Sequence, residues 1–294
     1  MTPADQPQRI VFLDVDGTIL EHGAVIAPST VTAIRQARAN GHLVYLCTGR
    51  ADGDLHPEVR AIGYDGAITN GGAFATRGGE LVLAHPMPRA DLDRLIAYFH
   101  AHGVHYFLQS HEHVYASAGV FTMMVEFVRQ RAARRREDLH RLGLDDEDDL
   151  LDAVMADAGA RYRPLDEADL DEIAKAVFIS GHSDTVAHAQ AELGARFHVI
   201  PGSMPLPGGS NGEIALTGVN KGSAILEILA LIGRDAADAI GIGDSWNDVE
   251  MFEVCGTSVA MGNADPELKA KADRVTTAVL DDGVWNAFVE LGLV

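Results

Sequence analysis

Residues 10–18 read Ile10-Val11-Phe12-Leu13-Asp14-Val15-Asp16-Gly17-Thr18. The four apolar residues form a short unbroken run, of the kind found in a strand buried on both faces of a parallel sheet. Continued beyond Leu13, period-two alternation points Asp14 and Asp16 one way and Val15 the other. Ligands of open α/β sheets sit at the carboxyl ends of the strands. Two like charges there repel, so a cation or a shared proton must hold them. Asp-Gly is also a turn signal, and on this stretch alone a capped turn and a ligand site are equally open.

The pattern continues outward. Residues 18–30 read as a tight hairpin and a helix start. The helix, carried by Val31, Ile34, Ala37 and Arg38, runs to Asn40, where Gly41 can end it. His42 to Cys47 is a second buried-type strand, and residues 66–70 form a third, leading into Gly71-Gly72. Strand, helix, strand, connection, strand predicts an α/β fold with a doubly wound parallel sheet, Rossmann-like in pattern. The middle of the chain changes rhythm, alternating further helices and strands before a Pro/Gly-rich loop at 200–212. It reads as an inserted α/β domain. Lys221 then opens a helix, residues 239–244 form a strand ending on a carboxylate, and residues 257–261 form another. The expected domains are a core first part at 1–83, an insert at 84–216 and a core second part at 217–294.

Composition bounds the function. The 294 residues carry 43 acidic and 23 basic side chains, for a formal net charge of −20. Such a surface repels nucleic-acid backbones, so the expected partner is a small molecule. An anionic substrate would need local positive charge or a metal. Hydrophobic residues make up 47%, enough for a sizeable core. Cys47 and Cys255 have neither metal nor redox spacing and fit a reducing cytoplasm. No apolar stretch is long enough for a membrane span, and residues 1–8 lack a signal pattern. Oligomeric state is not legible.

Asp244 ends its strand as Asp14 does, and Asp248 follows four residues on. If a helical turn starts there, both lie on one side of it. Asp14, Asp16, Asp244 and Asp248 can then converge at one sheet edge, and hard oxygen ligands in that number suit Mg²⁺. Thr48 offers a hydroxyl at the end of the second strand, beside Gly49 and Arg50. Lys221 at a helix start opposes the helix dipole, which an anion bound there would explain; taken alone, a solvent-facing lysine tolerated at small cost is the more common reading.

Asp14-Val15-Asp16-Gly17-Thr18, the Thr48 of Cys47-Thr48-Gly49-Arg50, Lys221 and Gly243-Asp244-Ser245-Trp246-Asn247-Asp248 resemble, in order, the four motifs of the haloacid dehalogenase superfamily. The stretches 70–73, 259–264 and 282–284 reinforce the likeness, and an insert of this length is similar to the large α/β cap of the Cof-type, class IIB branch. The resemblance implies a phosphatase in which Asp14 is the nucleophile, forming an aspartyl-phosphate, and Asp16 the acid and base. It implies Mg²⁺ held by Asp14, the Asp16 backbone carbonyl and Asp244, with Asp248 supporting the metal or orienting Lys221. Thr48, Gly49, Lys221 and Asn247 would hold the phosphoryl group. The implied substrate is a small phosphorylated metabolite such as a sugar phosphate, selected by the cap. A phosphomutase of the same superfamily is the alternative, and a phospho-accepting signalling module fits less well.

Other features read more plainly. His111-Glu112-His113 lacks an evident third ligand, so the histidines at 100–113 are expected to be surface or rim residues. The arginine-rich run at 129–136, with five acids at 145–149 behind it, reads as a charge-compensated helix. Trp246 is expected to pack, and Cys47 to be a small buried residue.

Overall fold

The computed structural model describes residues 7–21, 24–123, 125, 159, 161–202 and 208–294. The charged runs at 129–136 and 145–149 and residues 203–207 of the Pro/Gly-rich loop lie outside them. The chain divides into two compact units, Met1–His85 with Gly218–Val294, and Pro86–Thr217.

In the first unit, β1 (Ile10–Leu13) leads to a small hairpin, β2 (Leu20–Glu21) and β3 (Val25–Ile26), and then to α1 (Pro28–Ala39). Pro28 opens α1 without loss, because the first helical N–H has no partner inside the helix. Asn40 caps its end, and Gly41 turns away at φ 91°. β4 (Leu43–Cys47), α2 (Pro57–Ile62) and β5 (Gly66–Thr69) follow. Asn70, Gly71 and Gly72 all take positive φ. They reverse the chain into two antiparallel strands, β6 (Phe74–Arg77) and β7 (Glu80–Ala84), which the sequence pattern does not announce.

The second unit contains α3 (Arg89–Ala101), β8 (His105–Gln109), β9 (Val114–Ala116), β10 (Tyr162–Pro164), β11 (Lys175–Ser180), α4 (Thr185–Leu193), β12 (Phe197–Pro201) and β13 (Ser210–Leu216). Among the described residues these strands form a mixed sheet in the order β10-β9-β8-β11-β13-β12. Leu92, Leu95 and Phe99 of α3 and Ala189 and Leu193 of α4 share a core with Tyr106, Leu108, Phe178 and Ile214.

The chain then completes the first unit with α5 (Lys221–Leu231), β14 (Ala239–Gly243), α6 (Val249–Val254), β15 (Thr257–Ala260), α7 (Pro266–Lys269), β16 (Arg274–Val275) and α8 (Gly283–Glu290). Its sheet runs β16-β15-β14-β1-β4-β5-β6-β7, parallel as far as β5. β1 sits between β14 and β4, and its alternate residues enter two cores. Val11 and Leu13 pack with Ile34 of α1 and Phe288 of α8, while Ile10 and Phe12 pack with Ile225 of α5 and Met251 of α6. That two-sided burial is why Ile10–Leu13 carries no polar residue, and it makes the sheet doubly wound. Truncating Phe12 to Ala here would cost about 3–5 kcal/mol. Among the described residues, no helix is long and apolar enough to cross a membrane.

Candidate active site

The carboxyl ends of β1, β4 and β14 lie side by side in the sheet. Asp14 follows β1 directly, and its backbone N–H still donates to the Ile242 carbonyl at 2.9 Å. The next residues leave the strand. Val15 accepts at its carbonyl from the backbone N–H groups of Ile19 and Leu20, and the chain folds back over itself. Asp14 and Asp16 therefore do not point the same way, as alternation predicts, because the strand ends at Leu13. Asp14 is buried, whereas Asp16 is exposed and accepts two hydrogen bonds of 2.7 Å from the Arg50 guanidinium.

Lys221 is the first residue of α5, beside an Asn220 cap that pairs reciprocally with Ser223. Its ammonium is 1% exposed and donates to Asp14 Oδ1 and Asp248 Oδ1, both at 2.6 Å, and to Asn247 Oδ1 at 3.2 Å. The anions that justify a cation at this helix start are thus side chains of the protein itself. Burial works against Lys221's charge, but Asp14 and Asp248 outweigh it and hold the ammonium well above the usual lysine range.

Ser245, Asn247 and Asp248 are placed by a one-turn 3₁₀ helix after β14 (Trp246–Asp248). Asp248 Oδ2 accepts from the backbone N–H groups of Asp244 and Ser245, each at 3.0 Å, while its Oδ1 takes Lys221. Both oxygens are engaged, which fixes Lys221. Asn247 Oδ1 also accepts from Ser245 Oγ at 2.7 Å. Gly17 stands at φ 88°, and a Cβ there would lie 2.0 Å from Asp244 Oδ2, so this approach requires glycine. Asn263 Nδ2 bridges the same two loops, donating to the Gly17 carbonyl and to Asp244 Oδ2.

Thr48 is buried at the end of β4, and its Oγ1 accepts from the Arg50 backbone N–H at 3.2 Å. Gly49 lies between them. Asn70 and Gly71 brace this loop with backbone hydrogen bonds to the Arg50 and Thr48 carbonyls. The sequence-selected residues therefore sit in the loops and helix starts at this edge, although Asp16 faces Arg50 rather than the lysine.

Single ligand atoms of Asp14, Asp244 and Asp248 all lie within 4.8 Å of one another. Asp244 Oδ1 is buried without a hydrogen-bond partner. Burial, with Asp248 and Asp244 adding to it against the pull of Lys221, raises the Asp14 carboxyl well above its ordinary range. Burial and the Asp248 charge push Asp244 up to about 7. One ammonium among three carboxylates leaves excess negative charge, and a hard divalent cation would relieve it and engage the orphaned oxygen. The donor set fits such a cation.

Sequence reasoning passed over two residues. Arg50 and Asn263 fell inside stretches that were selected, but neither stretch says whom they meet. Trp246, expected to pack, is 49% exposed. Cys47 is fully buried, and burial pushes its thiol well up. His100 and His102 are exposed, the first meeting the Tyr106 hydroxyl and the second Glu192.

The sequence profile of the haloacid dehalogenase-like hydrolases matches residues 11–288. A 5-amino-6-(5-phospho-D-ribitylamino)uracil phosphatase of Bacillus subtilis, YwtE, is 28% identical, over 94% of this chain and 95% of its own. The pyridoxal phosphate phosphatase YbhA of Escherichia coli is 25% identical, over 91% and 92%. A haloacid dehalogenase-like hydrolase structure from Bacillus subtilis superposes with a TM-score of 0.77 at 22% identity, covering 97% of this chain and all of that one.

Proposed function

Since the chain belongs to the haloacid dehalogenase-like hydrolase family, we propose that it is a Mg²⁺-dependent cytoplasmic phosphatase of a small phosphorylated metabolite, a sugar phosphate or similar phosphomonoester. The observation that carries this reading is the Asp14 carboxylate, buried at a strand end with Lys221 at 2.6 Å and Asp244 and Asp248 beside it.

Asp14 attacks phosphorus with one carboxylate oxygen, and the bond from phosphorus to the ester oxygen breaks. The product is an aspartyl-phosphate, so one difficult displacement becomes two easier ones. Asp16 gives its proton to the departing oxygen and later takes one from the water that cleaves the acyl phosphate. To do so it must first leave Arg50, because both of its oxygens accept from the guanidinium. Thr48, the backbone at Gly49, Lys221 and Asn247 hold the phosphoryl oxygens. Asp14, the Asp16 carbonyl and Asp244 would hold the metal, with Asp248 supporting it or orienting Lys221. Bound Mg²⁺ supplies positive charge that offsets repulsion between carboxylate and phosphate.

The phosphoryl-binding residues cannot recognise a leaving group, so the insert at 84–216 is assigned that role. Both named relatives act on small phosphomonoesters, which supports the substrate class. Inorganic phosphate release from a panel of metabolites, with EDTA and with Mg²⁺ restored, tests the reading. Release that is unaffected by metal removal defeats the metal assignment. Phosphoryl return to substrate without free phosphate would instead indicate a mutase.

A further inference from the structure

The loop that follows β15 supplies a side chain for which the phosphoryl chemistry has no task. Met261 donates its backbone N–H to the Gly243 carbonyl at 2.9 Å, so the chain is still tied to β14 one residue before Asp244. Gly262 is then held on both sides. Its N–H donates to the Thr277 carbonyl at 2.9 Å, and its carbonyl accepts from Lys269 Nζ at 2.6 Å. A Cβ at this position would lie 2.6 Å from the Ala278 nitrogen. Asn263 therefore projects from a backbone with little freedom.

Asn263 Nδ2 donates to the Gly17 carbonyl at 2.8 Å and to Asp244 Oδ2 at 3.2 Å. Both partners only accept, so the nitrogen end of the amide must face them, and each of its two hydrogens serves one. The residue itself is exposed, and an exposed amide loses little by turning to water. Fold stability alone gives no reason to hold a donor here.

The Asp244 carboxylate gives that reason. The terminal torsion of an aspartate is broad, so its two oxygens can exchange places unless one is anchored. Asn263 anchors Oδ2, while Oδ1 is shut off from water without a hydrogen-bond donor. A buried carboxylate oxygen in that state is costly unless a cation meets it. The same amide holds Gly17, whose neighbour Asp16 carries the carbonyl assigned to the metal. One NH₂ group thus bears on two of the assigned donors at once.

We propose that Asn263 is a positioning residue for the divalent cation: its amide fixes Asp244 Oδ2 and the Gly17 carbonyl, and so leaves Asp244 Oδ1 turned out for the metal. The role rests on the metal-dependent reading above and deepens it. Outer partners of this kind are worth about 10–100-fold in metal affinity.

The test titrates Mg²⁺ calorimetrically into the full-length, substrate-free protein and into Asn263→Ala and Asn263→Leu, the second close to asparagine in shape but without a donor. Melting temperatures in EDTA check folding. The expected result is a Kd for Mg²⁺ raised about 10–100-fold in both variants, with the EDTA melting temperatures close to wild type. Lys269→Met keeps the amide but frees the Gly262 carbonyl; it should weaken Mg²⁺ binding by a smaller factor, and it decides the matter if the Asn263 variants do not fold. Folded variants that bind Mg²⁺ as tightly as the wild type overturn the proposal and leave the metal reading standing. A loss confined to the EDTA melting temperature does the same, because it marks a structural tie only. A wild type that binds no Mg²⁺ defeats the metal reading and this role with it. No ester is present, so a protein that hydrolyses none still answers the question.

Discussion

The protein buries two lysines, and they are buried for different reasons. Lys221, in the first unit, meets Asp14 and Asp248, which come from distant parts of the chain and are themselves almost fully buried. Lys175, in the inserted unit, lies 2.5 Å from the carboxylate of Glu213, which still reaches water. The carboxylates beside the first ammonium are buried with it, whereas Glu213 keeps 29% of its side chain exposed. A lysine enclosed with several buried carboxylates marks a place where further positive charge is wanted, such as a metal. A lysine beside a carboxylate that reaches solvent marks a place where water can screen the partner's charge. Burial of the lysine alone does not distinguish the two; burial of its partner does.

Removing an acid from the buried cluster should produce the largest effect. Asp14→Asn keeps the side-chain volume but loses the nucleophile, and kcat should drop by about 10⁴-fold or more with the circular dichroism spectrum unchanged. Phosphate release close to wild type from a folded Asp14→Asn protein would break the nucleophile assignment. Next comes Lys221→Met, which strands two buried carboxylates and should cost about 3–5 kcal/mol in urea unfolding with EDTA present. Mg²⁺ should recover part of that loss, because a bound cation stabilises the folded state by mass action. No recovery would mean that the cluster holds no cation.

Lys175→Met gives the direct contrast. Glu213 can turn its charge towards water, so the expected cost is smaller, about 1–3 kcal/mol, and Mg²⁺ should not change it. Equal losses in the two methionine variants would erase the distinction between a lysine with buried partners and one whose partner reaches solvent. Arg50→Ala lies lower again on the stability scale, at about 0–1 kcal/mol, since the Asp16 pair is solvent-screened. It should nevertheless change kcat, because Arg50 fixes the position of the Asp16 carboxylate through two hydrogen bonds, and an unchanged kcat would remove Arg50 from the reaction. Trp246→Phe closes the series. An exposed ring outside both lysine clusters should shift stability by no more than about 0.5 kcal/mol in either direction.

Much of this site was legible because its residues stand where regular structure ends. A run such as Ile10–Leu13 can be buried only between two layers, so the position of Asp14 followed from it. Asn40 and Gly41 marked the end of α1, and Lys221 was conspicuous at a helix start. The failures came where the backbone leaves its period. Asp16 was aligned with Asp14 by counting in twos, but the turn at Val15 carries it to Arg50. β6 and β7 were missed because the reversal depends on left-handed backbone at Asn70 to Gly72, which no apolar pattern announces. Asn263 joins loops 246 residues apart in its bond to Gly17, and single-sequence reading has no means of pairing them. The approach of Lys175 to Glu213 was equally hidden, since a register between strands is not written in either strand.

The position of β1 between β4 and β14 also bears on the order in which a ribosome delivers the parts. β4 emerges soon after β1, but residues 239–243 follow β1 by more than two hundred residues. At typical synthesis speeds β1 waits roughly 10–50 s with one edge unpaired. The segment Pro86–Thr217 is continuous and needs no such delay, so every described strand of its sheet is available before β14 exists. The newborn chain thus carries its inserted unit to completion while the nucleophile's own strand still lacks a neighbour. An edge at Ile10–Leu13 left open to pairing with other chains during translation is the cost of threading one domain through the middle of another.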